Sequence, residues 1–166
     1  TEKRILLHQY DEPGYQVVDL EKGTCENHNR DDSKRIKTLA ATPTFSYIVA
    51  GYDDGTLRIA NPKESTHPRD REGHHGKVNR VIALPCSRYA ISVGKDRAIR
   101  RWDLDSTDCC MTIPLHHDEE LLGTTVDGEY AVTKTRDIVR FRNVFHASLP
   151  IDFECDLRRN NGITLT

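Results

Sequence analysis

The sequence predicts an all-β fold made by repeating one small unit of short antiparallel strands. Three observations carry the prediction. Residue types recur at a spacing of 42, short apolar runs alternate with turn residues inside each repeat, and no segment holds the spacing of a long amphipathic helix. The chain has 166 residues, 36% hydrophobic and 30% charged, which suits one domain with a core and excludes disordered and fibrous classes. Its 24 Lys plus Arg face 26 Asp plus Glu, a net charge of -2. A dedicated nucleic-acid binder normally rests on excess cation, so that class is disfavoured, although a local basic patch is compatible. No run approaches 18 apolar residues, so no membrane-spanning helix is expected.

The repeats can be taken in order. Tyr10-Asp11-Glu12 and the run Tyr15 to Asp19 form the first, with Glu12 in the turn-carboxylate column. Tyr52-Asp53-Asp54-Gly55 and Thr56 to Asn61 form the second, 42 residues on. In the third, Asp96 follows Asp54, Ile99 follows Leu57, Arg100 follows Arg58 and Asp103 follows Asn61, all at the same offset. Val139 to Asn143 fits a fourth at 40. Tyr47, Tyr89 and Tyr130 make a further column, and the doublets His74-His75 and His116-His117 another. Within the third repeat, Val78 to Leu84, Tyr89 to Val93 and Ile99 to Trp102 read as three strands. Asp54-Gly55 and Asp127-Gly128 supply tight turns, and Pro43 and Pro85 lead out of strands. Residues 21–34 and 61–73 are polar and read as connecting loops, and Glu119 to Leu122, the nearest approach to a helix, falls in a strand column. Three to four short strands per 42 residues is the period of a β-propeller blade. The units run over about 1–28, 29–70, 71–112 and 113–150, with the start of another at 151–166.

The third repeat resembles the WD-repeat propellers. It runs from Gly73-His74 to Trp102-Asp103, with Ser92-Val93-Gly94-Lys95-Asp96 between. The resemblance implies a hydrogen-bonded network of His74, Ser92, Asp96 and Trp102 that pins the turns of the blade, with Asp54 in the same turn column of the second repeat. The doublet leaves open whether His74 or His75 takes part. Other repeats depart from the pattern: Val18, Ala60 and Arg142 stand in the Trp column, and Arg136 in the Asp column. Those blades are expected to lack the network and to be less rigid. Family members mostly have about seven blades, so the expectation is an incomplete ring of about four, completed by further residues or by another chain. Two copies closing an eight-blade ring is a variant of that expectation.

The resemblance also implies a non-enzymatic interaction scaffold that docks peptides or domains. Partner contacts in the family cluster on the narrow top face, which maps here to Lys37, Asn79 and Leu121 and to Asp53 and Lys95, with Arg97 nearby. The face is mixed in charge, so neither a purely acidic nor a purely basic ligand is expected. An adaptor role in ubiquitin ligation is not supported, because Leu104-Asp105 follows Trp102-Asp103 where that signature has Arg. Leu157-Arg158-Arg159-Asn160 is similar to the paired-arginine motif of phosphoinositide-binding propellers, without its closing Gly. Binding through Arg158/Arg159, or association with RNA, is the alternative reading.

Chemistry has little support. No G-x-S-x-G elbow, phosphate loop, H-E-x-x-H or dinucleotide fingerprint occurs, so no enzyme and no cofactor is expected. His117-Asp118-Glu119-Glu120 reads as a solvated turn. Cys25 and His28 have C-x-x-H spacing, and His67, His74, His75, His116 and His117 add imidazoles, but zinc needs four well-spaced ligands and the doublets at equivalent repeat positions read as blade-turn residues, so no metal is expected. Five cysteines, two of them adjacent, make a poor disulfide framework and suit reduced thiols in a cytoplasmic or nuclear setting.

Overall fold

The computed structural model describes residues 3–9, 12–28, 34–62, 69–145, 153–156 and 163–165, and every helix or strand among them is a strand. Four antiparallel meanders result. The first holds β1 (Arg4–Leu7), β2 (Tyr15–Asp19) and β3 (Thr24–His28). The second holds β4 (Ile36–Ala41), β5 (Ile48–Tyr52), β6 (Thr56–Ala60) and β7 (Arg69–Glu72). The third holds β8 (Val78–Ala83), β9 (Tyr89–Gly94), β10 (Ala98–Asp103) and β11 (Cys109–Pro114). The fourth holds β12 (Glu120–Thr124), β13 (Tyr130–Lys134), β14 (Ile138–Asn143), β15 (Phe153–Asp156) and β16 (Ile163–Leu165). The chain is a segment of a β-propeller.

The sheets stack because their middle strands are apolar on both faces. Along β9, Ala90 packs with Val49, Leu57 and Ile59 of the second sheet, while Ile91 and Val93 pack with Leu121, Ala131 and Val144 on the fourth-sheet side. Successive residues of a strand point to opposite faces, so one run of sequence serves two interfaces. The first strands β4, β8 and β12 neighbour one another in that order, which places them at the inner edge of the array.

Two segments expected as loops contain strands: β3 lies within 21–34 and β7 within 61–73. Each is the outermost strand of its sheet. Little of β3 is buried, so the hydrophobic alternation that identifies a strand in sequence is missing there.

The tyrosine column works between sheets. Tyr47 donates from its hydroxyl to Asp105 of the third sheet. Tyr89 meets Phe145 beyond β14 edge to face, with ring centres 5.5 Å apart. The Arg101 guanidinium lies 5.0 Å from both of those rings, and it donates to the Val144 carbonyl. Tyr130, which opens β13, holds the corresponding strand position in the fourth sheet.

Candidate functional site

One end of the sheets gathers the turns between second and third strands with the entries to first strands. The Lys95 N–H donates to the Lys77 carbonyl at 2.8 Å, and the Asp53 N–H to that of Arg35 at 3.2 Å. Further backbone bonds gather at this end: Ile36 N–H to Glu12 (3.1 Å) links the second sheet to the first, while His74 N–H to Gly55 (3.2 Å) and Leu115 N–H to Arg97 (2.8 Å) extend the β6–β7 and β10–β11 ladders. The opposite end holds the Pro85 to Arg88 and Asp105 to Asp108 turns, where the Leu104 N–H donates to the Arg88 carbonyl. Asp53, Asn79, Lys95 and Arg97 are exposed at the first end, and Lys37 is half-buried there.

Leu121 does not join them. It is 6% exposed and sits in the core with Ile91 and Val144. The reason is a recurring β-bulge in each first strand: the register shifts after Ile36, after Val78 and after Leu121. Leu121 therefore corresponds to the buried Ile36 and Val78, and Leu122, 42% exposed, corresponds to Lys37 and Asn79.

The geometry selects His74 from its doublet. His74 is buried, whereas His75 is exposed. His74 Nε2 lies 2.6 Å from Ser92 Oγ, and the Trp102 indole N–H donates to that same oxygen at 2.8 Å. An indole N–H can only donate, so Ser92 accepts it; the Asp96 carboxylate beside Nδ1 can only accept, so the neutral ring leaves Nε2 to accept from the Ser92 hydroxyl. The remaining imidazole proton then sits on Nδ1 and points at Asp96 Oδ1, 2.8 Å away. Asp96 Oδ2 accepts from Arg100 (2.6 Å) and from the His75 N–H (3.1 Å). Burial pushes the His74 imidazole down despite Asp96, which keeps it neutral. Burial would raise the Asp96 carboxyl, but the hydrogen bonds from Arg100, His74 and the His75 N–H outweigh it and hold it at about 2. Two glycines make room: a Cβ on Gly73 would fall 2.6 Å from the Trp102 ring, and one on Gly94 would fall 2.5 Å from His74.

In the second sheet Asp54 closes its turn by accepting the Thr56 N–H at 2.8 Å, and it pairs with Lys34 at 3.1 Å. Together with Asp70, His74 and His75 these residues line an open cleft of about 720 Å³ at the same end.

The fourth sheet was expected to lack a network and contains a different one. Glu119 is buried instead of lying in a solvated turn. Arg142, in the Trp102 column, donates from Nε to Glu119 Oε1 at 3.0 Å and from Nη2 to Oε2 at 2.8 Å. Thr133, in the Ser92 column, donates its hydroxyl to Oε1. The His116 N–H donates to Oε2 at 3.0 Å. Burial works to raise the Glu119 carboxyl, and these donors, Arg142 foremost, bring it below its ordinary value. The charged triad replaces the His-Ser-Trp one.

Cys25 and His28 both fall on β3, where the His28 ring stacks on Tyr15 at 5.0 Å. No group of three or more His, Cys, Asp or Glu side chains able to hold a metal ion occurs among the described residues. His67, Arg158 and Arg159 lie outside the described residues.

Comparison with known proteins agrees with this geometry. The family model for the WD domain, G-beta repeat, matches residues 21–61 and 66–103. The p21-activated protein kinase-interacting protein 1-like of Gallus gallus is 27% identical over 131 residues, covering 79% of this chain and 35% of that protein. The DDB1- and CUL4-associated factor 13 of Dictyostelium discoideum is 28% identical over 71 residues, covering 42% of this chain and 16% of that protein. This chain thus spans about a third or less of those relatives. A chain in the crystal structure of the mitotic checkpoint complex superposes with a TM-score of 0.70 at 17% identity, covering 90% of this chain and 45% of that one.

Proposed function

Because this chain belongs to the WD-repeat propeller family, we propose that it is a non-enzymatic docking module whose turn-rich end receives a peptide or domain of another protein. The observation that carries the reading is the split between a fixed frame and a free surface at that end. Asp96, His74, Ser92 and Trp102 spend their polar atoms on one another, and Asp54 spends its own on Lys34 and Thr56. Asp53, Asn79, Lys95 and Leu122 project from the same frame and are exposed. Rigid elements that display exposed side chains on short loops suit recognition better than chemistry.

The ring continues beyond the fourth sheet in this reading. Val132 and Val139 hold the strand positions of Ile91 and Ile99, which the fourth sheet covers in the third, and both are only half-buried. A further blade, from the same polypeptide or another, is the natural cover for that face. The free cysteines suit a cytoplasmic or nuclear setting.

The test is quantitative affinity capture with the wild-type chain, Lys95→Glu and Cys86→Glu. Cys86 is exposed at the opposite end. Proteins lost with Lys95→Glu and kept with Cys86→Glu support the reading; equal capture by all three contradicts it.

A further inference from the structure

We infer that the turn end of the third sheet is a docking strip for a short, Asp/Glu-rich segment of a partner protein. The inference rests on the docking reading above and gives its ligand a chemistry. Overall the chain is nearly neutral, and Asp and Lys residues mix at this end, so the sequence alone suggests no preference. The contacts change that count. The Asp96 carboxylate is consumed by His74, Arg100 and the His75 N–H, and Asp54 by Lys34 and Thr56. Lys95 and Arg97 flank Asp96 on either side, both exposed, and neither is paired with a carboxylate among the described residues.

The strip runs on along the surface through a lysine and exposed imidazoles. Lys77 is joined to Lys95 through the backbone, and His75, exposed, stands just before Gly76, whose α-carbon faces the Lys95 side chain. In the other direction, the Arg97 carbonyl holds the Leu115 N–H, and exposed His116 and His117 follow. Arg97 has a left-handed backbone, φ 55°, a conformation that glycine or asparagine adopts at lower cost. The strip borders the polar cleft through His75 and Gly76.

The charges that flank the strip select the ligand. Exposed Asp53 on the second sheet and Asp118 beyond His117 bound it. A nucleic-acid backbone needs a continuous cationic track and would meet those carboxylates, whereas a short acidic segment fits between them. Complementary charge of this kind speeds encounter and rejects basic competitors.

The experiment measures fluorescence anisotropy of a labelled Glu/Asp-rich peptide of about twelve residues against the full chain. Parallel arms use a Lys-rich peptide, a single-stranded RNA of similar length, and vesicles carrying phosphatidylinositol bisphosphate. The expected result is binding of the acidic peptide alone, weakening as salt rises. Lys95→Glu/Arg97→Asn then lowers its affinity by about tenfold or more, and Cys86→Glu leaves it unchanged. Circular dichroism melts confirm the fold of each variant, and His75→Glu/His117→Glu replaces the first pair if that pair unfolds. No binding of the acidic peptide, undiminished binding by the double variant, or tighter binding of RNA or vesicles overturns the inference. If it fails while captured proteins are still lost with Lys95→Glu, the docking face stands and only its acidic ligand is wrong.

Discussion

Arg142 grips Glu119 through two parallel hydrogen bonds, Nε to Oε1 at 3.0 Å and Nη2 to Oε2 at 2.8 Å, in the strand position where Trp102 stands one repeat earlier. The same scaffold thus pins two neighbouring blades by different means. One uses a neutral imidazole and an indole around a serine, the other a carboxylate and a guanidinium around a threonine.

The buried pair makes the fourth sheet sensitive to losing one partner. Arg142→Leu takes the bidentate partner from a buried carboxylate, leaving the Arg140 guanidinium 3.9 Å away, and is expected to cost about 3–5 kcal/mol. The double variant Glu119→Leu/Arg142→Leu removes both charges and is expected to recover part of that loss. Urea denaturation of the three proteins checks this, and a double variant worse than Arg142→Leu would contradict it.

The third sheet hangs on Ser92. Trp102→Ala is expected to cost about 3–5 kcal/mol through lost packing. Ser92→Ala is expected to cost about 1–3 kcal/mol because it leaves the indole N–H unsatisfied. Gly94→Ala drives a methyl group into the His74 ring and is expected to destabilise by about 1–3 kcal/mol. Thermal melts read all three, and a harmless Trp102→Ala would refute the network.

Acid weakens the fold in two stages. His74 titrates below its ordinary 6.5 because burial favours the neutral ring. The unfolded chain then binds a proton that the native state resists, so its contribution is complete above about pH 6.5 and is lost as pH falls. Asp96, held at about 2 against an ordinary 3.8, adds stability that is complete above about pH 4 and lost towards pH 2. Unfolding free energies measured from pH 8 to 5 should decline less in His74→Asn than in wild type. Equal declines would contradict the assignment.

Adjacent leucines separate core from surface. Leu121→Asp is expected to unfold or severely destabilise the chain, while Leu122→Asp should change stability by no more than about 0.5 kcal/mol. Chemical denaturation of the two variants decides, and similar costs would refute the bulged register.

Much of this was legible in the sequence, for identifiable reasons. Gly73-His74, Asp96 and Trp102-Asp103 mark the third blade because each residue type is required where it stands. The tyrosine column was visible because the sheets repeat their contact from blade to blade. Other features left no local trace. The outer strand β3 has too little buried surface to show a period, and β7 is charged at every position, Arg69-Asp70-Arg71-Glu72. The choice between His74 and His75 depends on which ring enters the sheet. Leu121 was misplaced because the fourth repeat meets its bulge one residue late, and a single-residue slip exchanges the faces of a strand. Glu119 and Arg142 are 23 residues apart and match no family column by type, so only the fold brings them together.

Docking is proposed for the end of the sheets that carries Asn79 and Lys95. Its most direct test places a photo-crosslinking amino acid at position 79, and in a second protein at position 86 of the opposite end, and quantifies adducts formed in cells. Discrete protein adducts are expected from position 79 and are expected to disappear with Lys95→Glu, with few from position 86. Equal labelling from both positions, or adducts from position 86 alone, would contradict it.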